Sequence, residues 1–185
     1  MHMARKLDAF EWTLEELQRL PDDGNKYELV RGELFVTPAP SLAHERLAVV
    51  LSDVLSDYVR QERIGRVFRP RAVVRFEGSE VEPDVMVRPW TELPTGWDEA
   101  PAPLLVIEIL SDVTHRRDRG PKRQLYFDAG VAEYWIVDGE TRTITVIQRG
   151  NKDVVASDAF IWHPASAAEP LVVDVRAIFR EALGT

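Results

Sequence analysis

Three features predict an α/β fold, a mixed β-sheet flanked by helices. Helical and strand-like periodicities alternate along the chain, the pattern that layers helices on a sheet. Several strand-like runs, Leu104–Leu110 above all, are apolar on both alternating faces, as strands covered on both sides are. A 3.6-residue apolar stripe through Leu47, Val50, Leu51, Val54, Leu55 and Tyr58 marks one long amphipathic helix. The 185 residues, 45% hydrophobic and 29% charged, suit a single domain over 1–185 with a sizeable core.

The elements follow in order. Trp12–Leu20 begins with a capping box, Thr13 with Glu16 three residues on, and carries Leu14, Leu17 and Leu20 on a narrow stripe. Pro21-Asp22-Asp23-Gly24-Asn25 stops that helix. Tyr27–Val36 reads as a hairpin turning at Arg31-Gly32, with Glu28 facing either solvent or a site. Ser41 caps the long helix, and His44 near its start reads as a surface or helix-terminal histidine ahead of the alternative, a site role. Gly65 closes that segment, and Val67–Phe76 alternates as one strand. A turn at Gly78-Ser79-Glu80 leads into a strand over Val81–Val87, with Asp84 at its start or at a bend because Pro83 precedes it. Residues 88–103, with four prolines, form the longest irregular loop. Leu104–Leu110 is a buried strand, and a helix capped by Asp118 and ended by Gly130 follows. Tyr134–Asp138 is another buried strand. Thr143–Gln148 and Val154-Val155 form a hairpin, and a short helix near Val175–Leu183 closes the chain.

Composition limits the chemistry. Without cysteine there are no disulfides, zinc–thiolate sites or thiol nucleophiles. No apolar run nears the ~18 residues of a membrane span and no signal-peptide pattern opens the chain, so a cytoplasmic protein without membrane partners is expected. The net charge of −8 opposes a broad nucleic-acid-binding face. The arginines are nevertheless bunched: Arg60, Arg63, Arg66, Arg69, Arg71 and Arg75 in one cluster, Arg116, Arg117 and Arg119 in another.

Two carboxylates stand inside runs that otherwise read as buried strand. Glu108 interrupts Val106-Ile107-Ile109-Leu110, and Asp84 opens Val85-Met86-Val87. A buried charge costs several kcal/mol unless compensated, so Glu108 needs a cation, a metal or a proton. Two carboxylates on neighbouring strands are what a hard divalent cation takes; a paired structural carboxylate and a turn aspartate would serve equally. Lys122 falls on the inner face of its helix with Leu125, Tyr126 and Ala129. It either snorkels to solvent or meets an anion.

These residues resemble the restriction-endonuclease-like, or PD-(D/E)XK, superfamily, whose signature is Pro-Asp, a spacer and Glu-x-Lys. Pro83-Asp84 and Glu108 match, but Leu110 stands where the lysine belongs. More narrowly the chain resembles the Uma-two family of restriction endonucleases over about residues 10–180. The resemblance is carried by Tyr27–Leu34, Glu82–Val85, Val106–Ser111, Arg117-Asp118 with Lys122 and Tyr126, and Gly130–Asp138. It implies a restriction-endonuclease-like domain, a migrated lysine at Lys122 and a place for Glu28 in the site.

The expected function is a divalent-metal-dependent endonuclease, a phosphodiester hydrolase acting on nucleic acid, specifically DNA. Asp84 and Glu108 are the expected ligands of Mg2+ or Mn2+, and Lys122 the partner of the attacking water or scissile phosphate. Glu28 is a secondary acidic residue, while Arg116, Arg117 and Arg119 contact phosphates. A homodimer is expected, since two-fold assemblies are the commonest. The competing expectations are a non-catalytic binding or assembly protein that retains the fold, and an enzyme acting on a small phosphoester.

Overall fold

The computed structural model describes residues 11–90, 96–111 and 120–184. Sequence-local signals set the first elements. Thr13 and Glu16 form the capping box, but the helix they start, α1 (Leu14–Leu17), ends before Leu20. Of its residues only Leu17 is buried, too narrow an apolar stripe to hold further turns. Strands β1 (Lys26–Val30) and β2 (Glu33–Thr37) pair antiparallel with Leu29 opposite Leu34. Arg31 and Gly32 turn between them, both at positive φ, the backbone twist a two-residue hairpin needs.

Helix α2 (Leu42–Glu62) is capped by Ser41, whose hydroxyl accepts from the His44 N–H, and at 1.5 Å per residue its 21 residues reach about 31 Å. The strand expected over Val67–Phe76 is instead two strands in different sheets, β3 (Gly65–Phe68) and β4 (Val74–Phe76). Pro70 lacks the N–H a ladder requires, and the exposed Arg69-Pro70-Arg71 lets the chain cross between sheets. The next turn lies one residue earlier than expected, at Glu77-Gly78, where both residues have positive φ. Ser79 and Glu80 therefore already belong to β5 (Ser79–Val81). The strand expected over Val81–Val87 is also divided: β5 ends at Val81 and β6 (Val85–Pro89) begins after Pro83-Asp84.

The remaining elements are β7 (Leu105–Ile109), α3 (Pro121–Asp128), β8 (Glu133–Asp138), β9 (Thr143–Gln148), β10 (Val154–Ala156), β11 (Ala159–Trp162), β12 (Leu171–Asp174) and α4 (Val175–Leu183). The β11–β12 pair escaped the sequence reading. Its strands are four residues each and separated by a polar, proline-containing stretch. The expected cap Asp118 lies outside the described residues, and Gly120 occupies the N-cap of α3.

A six-stranded sheet ordered β10-β9-β8-β7-β6-β3 divides the molecule. It is mixed, with β7–β8 parallel and its other pairs antiparallel. Alternation along its strands sends side chains to two cores. Val85, Val87, Ile107, Ile109, Trp135 and Val137 pack with α2, α4 and β11–β12. Met86, Val106, Tyr134 and Ile136 pack with α3 and the four-stranded sheet β2-β1-β5-β4. Glu108, between Ile107 and Ile109, faces the second core. No helix among the described residues is long and apolar enough to cross a membrane.

Candidate active site

The site forms where the chain leaves one sheet and enters the other. Val85 lies opposite Ile107 in the β6–β7 ladder, so one step back along that register Asp84 faces Glu108. Pro83 and the change of sheet end β6's own pairing there. The Asp84 side chain takes over: its Oδ2 accepts the Ile109 N–H at 2.7 Å.

Two side-chain donors hold Asp84, which is 4% exposed. Lys26, the first residue of β1, brings Nζ to 3.2 Å from Oδ1 and donates to the Glu82 carbonyl at 3.0 Å. His44, in the first turn of α2, places Nε2 3.1 Å from Oδ2. An ionised carboxylate only accepts hydrogen bonds, so the Nε2 position carries the proton. Burial pushes the Asp84 carboxyl up, but the Lys26 charge, His44 and the Ile109 N–H outweigh it and hold the carboxyl well below its usual range. Burial likewise pulls the Lys26 ammonium down, yet the Asp84 and Glu28 carboxylates raise it above its ordinary value.

Glu108 is served by a different cation. The ammonium of Lys122 lies 2.9 Å from Glu108 Oε1 and 2.9 Å from Glu28 Oε2, and the three side chains are 1 to 3% exposed. Residues 122 and 126 are one turn apart on α3, and the Tyr126 hydroxyl donates to Glu108 Oε1. Burial, with the charges of Glu108 and Glu28, pushes the Tyr126 phenol well above its usual range. Glu28 completes the group by accepting the Glu82 N–H at 2.9 Å. Burial pushes its carboxyl up, but Lys122, Lys26 and that N–H bring it below the ordinary value.

The group has two tiers. A cavity of about 760 Å³ opens beside it, and Lys26, His44, Glu82, Asp84, Glu108 and Ser111 are on its wall. Glu28 and Lys122 are not on that wall; they lie behind Glu108. Glu82 is half-buried, and burial raises its carboxyl despite Lys26 and Arg71 nearby. Leu110, at the vacant lysine position, also borders the cavity.

Of the sequence-predicted residues, Asp84, Glu108, Lys122 and Glu28 are thus brought together. Arg116, Arg117 and Arg119 lie outside the described residues. From the first arginine cluster, Arg71 reaches the cavity wall, whereas Arg60, Arg63 and Arg66 line a separate cleft. Sequence reasoning missed Lys26 and passed over His44 as a helix-terminal residue. The available signal was the i, i+2 spacing of Lys26 and Glu28, which puts both on one face of β1.

Asp84 and Glu108 suit a hard divalent cation: two oxygen donors on adjacent strands at one cavity, where magnesium usually takes one or two carboxylates. The formal charges agree. Glu28, Asp84 and Glu108 against Lys26 and Lys122 leave at least one negative charge over, before Glu82 is counted. Among the described residues no group of three or more His, Cys, Asp or Glu side chains is placed to hold a metal ion.

A family model, Uma2, described as "Putative restriction endonuclease", matches residues 14–172. Among solved structures, the chain is similar to one described as a putative nuclease belonging to DUF820 from Anabaena variabilis ATCC 29413. The TM-score is 0.79 at 24% identity, over 93% of this chain and 99% of that one. No curated protein matches the chain.

Proposed function

The chain belongs to the Uma2 family, which supports a nuclease in general terms, and from that membership we propose a divalent-metal-dependent endonuclease that hydrolyses phosphodiester bonds in DNA. The observation that carries the reading is the facing pair Asp84 and Glu108, both buried and both on the wall of one cavity.

In this reading Asp84 and Glu108 hold the cation. Bound there, magnesium or manganese supplies Lewis acidity, lowering the pKa of a water and offsetting charge on the phosphate oxygens. Water attacks phosphorus, the bond to one sugar oxygen breaks, and a phosphate monoester and a hydroxyl are left. Lys26 is the ammonium on the cavity wall, placed to meet the phosphate or its attacking water. Lys122 is buried between Glu108 and Glu28, and in this reading it acts through Glu108 as a positioning residue. His44 fixes Asp84 from the α2 side.

Cleavage of supercoiled and linear DNA, and of RNA, with magnesium, manganese or chelator tests the proposal. Nicking or linearisation of DNA that needs metal and disappears in Asp84→Asn is expected. Undiminished cleavage by that variant would move the site elsewhere. The competing reading, a non-catalytic binding protein, draws on the ion pairs that already occupy both carboxylates, and it predicts no cleavage with any metal.

A further inference from the structure

A second cleft, of about 550 Å³, lies at the other end of α2, lined by Ser56, Arg60, Arg63, Gly65, Arg66 and Trp90 among others. Trp90 is 62% exposed, unusual for the largest apolar side chain, and the Arg66 guanidinium lies 4.3 Å from its ring centroid. The ring is therefore held where a planar cation already stacks on it. The placement is built in. The Trp90 backbone N–H donates to the Ile64 carbonyl at 3.2 Å. Gly65 lets β3 press against β6, since a Cβ there would come within 2.0 Å of the Arg88 carbonyl oxygen.

The arginines of this cleft differ from most others. Arg19, Arg31, Arg69, Arg71, Arg75 and Arg123 each hold a carboxylate. Arg60 has only a loose, exposed contact with Asp57 at 3.8 Å, and Arg63 and Arg66 pair with no carboxylate among the described residues. In a chain of net charge −8, three lightly paired guanidinium groups around an exposed tryptophan form a local anion site.

We propose that this cleft binds an unpaired nucleotide of a nucleic acid, its base on Trp90 and its flanking phosphates on Arg60, Arg63 and Arg66. The occupant must be unpaired, because bases inside a duplex present no free face to an aromatic ring. Arg66, Arg69 and Arg71 step from this cleft along the sheet edge at β3 to the wall of the first cavity, where Arg69 meets Glu45 of α2's first turn at 3.3 Å. From residue 44 to residue 60 the helix spans about 24 Å, a few nucleotides of an extended single strand. A single-stranded flank running from the cavity would reach Trp90 over that distance. The inference rests on the nucleic-acid reading above.

Equilibrium binding of fluorescein-labelled single-stranded and duplex oligonucleotides in chelator, with a salt titration, tests it apart from cleavage. Trp90→Ala is expected to weaken single-strand binding about tenfold, within the range of one lost base–aromatic stack, with Trp90→Phe retaining most of the affinity. Arg60→Gln, Arg63→Gln and Arg66→Gln together are expected to reduce the single-strand salt slope by about 2, at ~0.7 per phosphate contact. These side chains are exposed, and unchanged melting temperatures would confirm intact folding. Unaltered affinity and slope in both variants overturns the inference, and does so alone if Asp84-dependent cleavage persists. A single-strand loss in Trp90→Ala without cleavage by any metal supports the cleft and removes the nuclease reading. Wild-type protein that binds neither strand removes both.

Discussion

Replacing Lys122 by Met removes a cation shared by two buried carboxylates while keeping most of the side chain's length and apolar bulk. Glu28 and Glu108 each lie 2.9 Å from its ammonium, so the variant leaves two acidic groups facing each other out of reach of bulk water. Removing one partner of a buried ion pair typically costs about 3–5 kcal/mol, a large part of the ~5–15 kcal/mol that holds a domain folded. For a chain of this size that is a fall in melting temperature of about 6–20 °C. The pH dependence gives the stricter test. In the wild type the Glu28 carboxyl is held below its ordinary 4.5, so its contribution is complete above that pH and is lost as pH falls through the folded-state value. In Lys122→Met the facing carboxylates favour taking up a proton, so the stability gap should narrow steadily as pH falls from 7 toward 4.5. Urea unfolding of both proteins across that range measures the gap. Glu28→Gln added to Lys122→Met should restore at least ~1 kcal/mol at pH 7 by removing the like-charge contact. A loss below about 1 kcal/mol at pH 7, or a gap that does not depend on pH, would show that the ammonium does not compensate these carboxylates.

Tyr126→Phe should cost about 1.5–3 kcal/mol at neutral pH, the worth of a hydrogen bond to a charged acceptor. The wild-type phenol is raised above its ordinary 10.0, so its contribution is complete below pH 10 and is lost as pH rises through the folded-state value. Denaturant melts between pH 8 and 11 should therefore show the two proteins converging at the alkaline end, and parallel curves would remove Tyr126 from the network. Gly65→Ala places a Cβ against the Arg88 carbonyl oxygen and should cost about 1–3 kcal/mol through separation of β3 from β6. Faster amide exchange confined to β3 and the facing part of β6 would locate that strain, and unchanged stability would count against so close a crossing.

The site residues legible in the sequence were those whose own neighbours contradict them. Glu108 stands out because a charge interrupts an apolar run, Asp84 because Pro83 marks a strand break, and Lys122 because helical spacing turns it inward with Leu125 and Tyr126. Lys26 contradicts nothing locally. It follows a turn at the start of a strand, an ordinary place for an exposed lysine, and its partner Asp84 is 58 residues away. That contact exists because β1 pairs with β5, a long-range choice that no local period records. His44 was hidden in the same way, since a histidine in a helix's first turn is unremarkable until β6 arrives beside it. The fold shows the same limit. Alternation predicted strand character across Val67–Phe76, but not that one half pairs with β6 and the other with β5.

The two lysines also divide what one lysine on the Glu108 strand would do alone. A lysine at position 110 would share Glu108's face of β7 and lie on the cavity wall, next to any cation held there. Lys122 instead approaches from α3 on the side away from the cavity and is spent on Glu28 and Glu108. Glu28 helps keep Lys122 in place, its Oε2 lying 2.9 Å from an ammonium whose side chain is 1% exposed. The position facing the cavity is left to Lys26, anchored by the Glu82 carbonyl and Asp84 at the crossing between the two sheets. In the proposed site, the lysine moved off the strand is accompanied by a second acidic residue behind Glu108 and a second basic residue on the cavity wall. Glu28 and Lys26 supply these from one face of the same strand, two residues apart.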